Sequence, residues 1–142
     1  MATTTNQTPE AKAQASIAAG DELFGKNKFD NARKSYDEAL TTLGGAHGWL
    51  SPTLVDVLGK LVESIYQKGA QNSTDSRKDI GKYLKMLLTI KQRQHGIRSA
   101  EVIPVLEQLV IFYDFDGAHM LAVEVLQRID DIKGSLEVGQ AG

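Results

Sequence analysis

Residues 20–40 read GDELFGKNKFDNARKSYDEAL, two helical-looking halves joined by GKNKF. Small residues, Gly20, Ala32 and Ala39, stand where one helix would face its neighbour. Large ones, Leu23, Phe24, Phe29, Tyr36 and Leu40, stand beside them. Small residues let two antiparallel helices approach, and large neighbours interlock around the contact. The stretch therefore predicts a helical hairpin. One hairpin cannot bury both of its faces, so copies are expected to stack.

The copies can be found. Ala19-Gly20 and Leu23, followed by Ala32, Tyr36 and Ala39, match Leu109-Val110 and Tyr113, followed by Ala122, Leu126 and Ile129. A middle copy is Leu61-Val62 and Ile65, followed by Ile80, Leu84 and Leu87. The first halves begin at Ala19, Leu61 and Leu109, the second halves at Ala32, Ile80 and Ala122. One interval of each pair is longer by six, the later one for the first halves and the earlier one for the second halves. One insertion of six residues in the middle copy accounts for both, and AQNSTDSRKD, residues 70–79, reads there as polar loop. The linkers repeat as well. HGWLSP at 47–52 matches HGIRSA at 95–100, separated by that same longer interval. Ser51 before Pro52 is a good helix start, and Ser99 can cap in the same way.

Apolar residues recur at three and four, as in Leu54, Leu58, Leu61, Val62 and Ile65, or Leu106, Leu109, Val110 and Tyr113. There are three prolines and no alternating strand pattern. The expected helices are 9–26, 29–43, 52–69, 79–94, 100–115 and 118–133. The expected domain is 9–133, with repeats at 9–43, 52–94 and 100–133. Residues 1–8 form an N-terminal tail and 134–142 a C-terminal tail.

With 142 residues, the chain has room for one modest domain. Its 42% apolar content can form a core, and no apolar run approaches a membrane-spanning length. MATTTNQTPEAKAQ is not a secretory signal, so the cytoplasm is the expected compartment. With no cysteine there is no disulfide, thiolate metal site or cysteine nucleophile. A formal charge of −2 argues against a nucleic-acid binder.

The spacing resembles the tetratricopeptide repeat, W-x2-L-G-x2-Y, then A-x3-F, then A. Gly20, Leu23, Ala32, Tyr36 and Ala39 occupy the glycine, tyrosine, alanine, phenylalanine and second alanine places. The 42-residue unit with its HG-x2-S linker resembles the longer kinesin-light-chain type of repeat. The tryptophan place holds Ser16, Leu58 and Leu106, and Ile80 replaces an alanine. The resemblance implies an all-α fold, a right-handed superhelical array of three antiparallel hairpins. It also implies a concave groove lined by the first helix of each hairpin, which holds a partner segment. That groove would show Gln14, Ile17, Asp21 and Phe24 from the first repeat and Asp56, Lys60, Glu63, Tyr66 and Gln67 from the second. The third would give Glu107, Gln108, Ile111, Asp114 and Phe115. Five of these are acidic and one is basic, so a basic or amphipathic segment of a partner protein is expected there. Co-chaperones of this family that grip a C-terminal carboxylate place lysine, asparagine and arginine at these positions. Here the matching places hold Ile17, Asp21, Lys60, Glu107 and Ile111, which argues against that activity.

Charge is segregated. Residues 77–98 carry seven basic side chains against Asp79, and 101–137 carry eight acidic ones against Arg128 and Lys133. Lys78, Lys82 and Lys85 fall on one helical face, read as an outer, solvated one. His47 and His95 sit in equivalent linkers and read as structural. YDFDGAH at 113–119 lacks the glutamate of a calcium loop. LGGAHG at 43–48 lacks the strand and lysine of a phosphate loop. No catalytic, metal or cofactor residue is therefore assigned, and the chain reads as a non-enzymatic adaptor. One alternative is a self-assembling scaffold. The last helix, AHMLAVEVLQRIDDIK, looks too apolar for one neighbour and has no solvating cap, so a homodimer through Val125, Ile129 and Ile132 is expected. The other alternative is a small secretion chaperone built from such repeats.

Overall fold

In the computed structural model, the residues described are 8–69 and 73–141. Their regular structure is entirely helical. It comprises α1 (Pro9–Gly25), α2 (Phe29–His47), α3 (Val55–Lys68), α4 (Thr74–His95), α5 (Ile103–Phe115) and α6 (His119–Ala141). Short 3-10 turns, Pro52–Leu54 and Ala100–Val102, lead into α3 and α5.

Local chemistry sets most of these ends. Thr8 caps α1, its Oγ1 accepting the Ala11 N–H at 3.1 Å, with Pro9 at the first helical position. Thr8 therefore belongs to the helix start; the rest of the expected tail, residues 1–7, lies outside the described residues. The two linkers fold alike. Ser51 Oγ accepts the Thr53 N–H and Ser99 Oγ the Glu101 N–H, each at 3.2 Å.

The repeat is visible in the turns. After α1, Asn27 turns left-handed at φ 61°, and the Lys28 N–H returns to the Leu23 carbonyl at 2.9 Å. After α5, Gly117 does the same at φ 81°, and the Ala118 N–H returns to the Tyr113 carbonyl at 2.8 Å. After α3, Gly69 takes φ 75°. The step from Gly69 to Gly117 exceeds the step from Asn27 to Gly69 by six, so the extra residues follow Gly69. Ala70 to Asn72 lie outside the described residues. The rest of the expected loop, from Thr74 onward, is helix, an added turn at the start of α4.

The chain divides into two compact units between Ser76 and Arg77, one turn inside α4. In the first unit α2 packs against both α1 and α3. Its core includes Ala13, Ala32, Tyr36, Ala39, Leu58 and Leu61. The expected small-to-large contact is present: a β-carbon on Gly20 would fall 2.5 Å from Tyr36 Cε1. Gly44 serves a similar purpose beneath the Trp49 ring, and α2 continues past it to His47 instead of stopping at residue 43.

In the second unit α5 packs against α6. The proposed dimer face is corrected here. Ile129 is 4% and Ile132 1% exposed, so both belong to this unit's own core. The exposed apolar residues of α6 are others, among them Met120 at 76% and Leu126 at 49%. Nor does α6 end at residue 133. Arg98 Nη2 donates to Ser135 Oγ at 2.6 Å and to the Asp131 carbonyl at 3.3 Å, and the helix runs on to Ala141. The places of buried Leu40 and Leu43 in the first repeat are taken in the third by exposed Asp130 and Lys133.

Candidate functional site

On the first unit, α1, α2 and α3 enclose a hollow of about 620 Å³. Phe24, Tyr36, Val55 and Gly59 give it an apolar lining, and Asp21, Asp56, Lys60 and Glu63 supply the charges. The helical register explains the set. Asp56, Gly59, Lys60 and Glu63 recur at three and four along α3, so they share one face. Asp21 and Phe24 are three apart on α1 in the same way. Gly59 leaves its wall open, since a β-carbon there would meet nothing within 4 Å.

A three-residue polar knot fixes one side. The Tyr36 hydroxyl donates to Asp21 Oδ1 at 2.6 Å, and Lys60 Nζ donates to the same oxygen at 2.9 Å. Lys60 Nζ also lies 5.8 Å from the centre of the Tyr36 ring. Burial alone would raise the Asp21 pKa; the hydrogen bonds from Tyr36 and Lys60 and the lysine charge outweigh it, and the carboxyl is held below its usual range. For Tyr36, burial and then the hydrogen bond to Asp21 push the phenol well above its ordinary value, so it stays a donor.

This arrangement changes how the acidic face works. Asp21 is engaged by Lys60, so the negative charge left at the rim belongs to Asp56 and Glu63. Glu63 accepts from Gln67 Nε2 at 3.0 Å, while Asp56 has no ion-pair partner among the described residues.

Of the groove residues expected in this unit, Asp21, Phe24, Asp56, Lys60 and Glu63 come together at the hollow. Ile17 does not. It is 8% exposed and packs into the core, so it offers a ligand almost nothing. Gln14 and Gln67 are exposed away from the lining, and Tyr66 is half-buried, its phenol pushed up by burial. Glu107, Gln108, Ile111, Asp114 and Phe115 are exposed on α5 in the second unit. There Asp114 Oδ1 pairs with His119 Nδ1 at 3.0 Å, and the Arg77 guanidinium lies 5.4 Å from the centre of the Phe115 ring. Tyr36, Val55 and Gly59 were missed. Only the alternation of Gly59 with Lys60 and Asp56 on one helix face signalled any of them.

His47 contacts Glu10, tying the end of α2 to the start of α1, which suits a structural histidine. Among the described residues no cluster of histidine, aspartate and glutamate could hold a metal ion, and no helix is long and apolar enough to cross a membrane.

No family model and no curated protein matches the chain. Among solved structures it is similar to that of BtubC (BKLC) from P. vanneervenii, with a TM-score of 0.61 and 14% identity. The match covers 93% of this chain and 67% of that one. At that identity the likeness is one of fold, and the fold is an all-α, tetratricopeptide-like helical repeat.

Proposed function

We propose that the chain is a protein-binding module, not an enzyme, and that the hollow on the first unit receives an amphipathic, basic segment of a partner protein. The observation that supports this most is the pairing of an apolar, open-walled hollow with uncompensated carboxylates at its rim. A leucine- or phenylalanine-sized side chain fits against Phe24, Val55 and the Tyr36 ring. A lysine or arginine one helical turn away meets Asp56 or Glu63. A volume of about 620 Å³ falls among those of specific sites, which run from about 300 to 1,000 Å³.

The test uses a fluorescein-labelled amphipathic peptide of leucine and lysine, with binding read by anisotropy. Micromolar binding is expected, weakening as salt rises because rim charges are screened over about 8 Å at physiological ionic strength. Gly59→Leu places its β-carbon in open space and fills the open wall, so it should reduce binding at least tenfold while circular dichroism stays helical. Asp56→Lys with Glu63→Lys should do the same. Equal binding by all three proteins refutes the assignment.

A self-assembling module is the second reading. Exposed Met120, Val123 and Leu126, at three-residue intervals on α6, favour it. A concentration-independent monomer in sedimentation removes it.

A further inference from the structure

The second unit carries a hollow of opposite character, about 380 Å³ in volume, beside α4. One wall is Lys78, Lys82 and Lys85, the floor and far wall are Phe112 and Tyr113 of α5, and Leu121 of α6 closes the end. Tyr83, the aromatic residue between Lys82 and Lys85 along the chain, is buried and does not line this hollow. The aromatics come instead from α5. Gly81, between Lys78 and Lys82, makes this contact, since a β-carbon on it would fall 2.7 Å from Phe112 Cζ.

All three lysines are exposed, and none has an acidic partner among the described residues. The one carboxylate lining the hollow, Asp116, is paired with Arg77 at 3.7 Å. The row therefore presents three unneutralised positive charges over an aromatic and aliphatic floor. On a helix rising about 1.5 Å per residue, Lys78 and Lys82 are spaced about 6 Å along the axis and Lys85 lies about 4.5 Å further on. Alternate side chains of an extended peptide lie about 6.6 Å apart, a close match to the first interval.

We infer that this groove binds an acidic polypeptide segment, two or three carboxylates flanking one apolar or aromatic side chain, supplied by another protein. The charges are complementary, and the floor gives the apolar side chain a place that a bare phosphate chain would not use. A nucleic acid fits less well. The row is only about 10 Å long, and phosphate-dependent binding draws its strength from about six to ten contacts. The same unit also carries eight acidic residues between Glu101 and Glu137, which repel a long polyanion but not a short segment seated on the lysines.

The probe is a fluorescein-labelled heptapeptide of glutamate and aspartate with a central phenylalanine, titrated into the full chain. Binding in the micromolar range is expected. Lys82→Glu should weaken it at least tenfold, and Lys78→Glu with Lys82→Glu and Lys85→Glu should abolish it, with unchanged circular dichroism because all three side chains are exposed. The peptide with serine in place of phenylalanine should bind at least fivefold more weakly. Asp56→Lys with Glu63→Lys should leave this peptide bound, which separates this groove from the hollow of the first unit. Four results would overturn the inference: no binding by the unmutated protein, undiminished binding by the triple variant, equal binding of the serine peptide, or an octathymidylate bound as tightly as the heptapeptide. A dimer of the unmutated protein that Lys82→Glu disperses would reassign the groove to a second copy of this chain.

Discussion

Asp21 Oδ1 accepts from a tyrosine on α2 and a lysine on α3, so one carboxylate on α1 links three helices. Tyr36→Phe keeps the ring and its packing and removes one hydrogen bond to a charged acceptor. A loss of about 1–2 kcal/mol is expected in urea unfolding. Asp21→Asn weakens the knot in a pH-dependent way. Because the folded-state pKa is lowered, the stabilisation is present above the ordinary carboxylate value of about 4 and is lost as pH falls through the lower folded value. The stability gap between the unmutated protein and Asp21→Asn should be full near neutrality and close as pH falls below about 4. A gap that stays constant would mean that Asp21 acts through packing. Two glycines give opposite signs. Gly20→Ala drives a β-carbon into the buried Tyr36 ring, and overpacking of about 1–3 kcal/mol outweighs the better helix propensity of alanine. Gly59→Ala meets open space, so the propensity gain of up to about 1 kcal/mol should appear undiminished. The Gly20–Tyr36 contact was legible because repeat spacing places small against large. The Asp21 knot was not, because periodicity marks which face is buried and says nothing of where a lysine's long side chain reaches.

At the scale of elements, the turns carry the repeat as plainly as the helices do. Asn27, Gly69 and Gly117 hold the left-handed conformation at matching places in the three hairpins, and only the middle turn is followed by extra chain. Gly117→Ala places a β-carbon in that conformation and should destabilise the protein by about 1–2 kcal/mol, measured by the urea midpoint. Gly25→Ala, with open space at its β-carbon and no positive φ, should not. Helix existence and the serine starts of both linkers were readable from spacing and cap chemistry. Helix ends were read less well, and each miss has a distant partner behind it. The pair Gly44-Gly45 looks like a stop, yet Gly44 is small because Trp49 lies over it, so α2 continues. GSLEV looks like a tail, yet Arg98, far earlier in the chain, bonds Ser135 and carries α6 onward. Arg98→Ala should therefore speed amide exchange in Ser135 to Glu137 while leaving Ala122 and Ile129 protected. Equal exchange in both proteins would mean that the last turns stand without that bond.

For the whole molecule, charge and cooperativity are the quantities that the repeat pattern leaves open. Residues 1–76 hold seven basic and nine acidic side chains, a net −2, whereas residues 77–142 hold nine of each. The neutrality of the second unit conceals a division between basic α4 and acidic α5 and α6, which is why total charge was a poor guide to what the chain could bind. Cooperativity turns on α4. Its first turn, Thr74 to Ser76, belongs to the first unit and the remainder to the second, and Ser76 Oγ accepts from Arg33 on α2 at 3.1 Å. A helix that loses its core loses its hydrogen bonds cooperatively, so melting either unit removes support from an element of the other. Short repeat arrays couple through such nearest-neighbour terms. Trp49, the sole tryptophan, lies in the first unit and reports on it alone, while far-ultraviolet circular dichroism reports on all six helices. Urea unfolding followed by tryptophan fluorescence and by circular dichroism should therefore give coincident curves with a single midpoint. Ser76→Ala, which removes the hydroxyl that Arg33 reaches, should weaken the coupling and separate the two curves. Curves already separated in the unmutated protein would show that the two units unfold independently and that α4 transmits nothing between them.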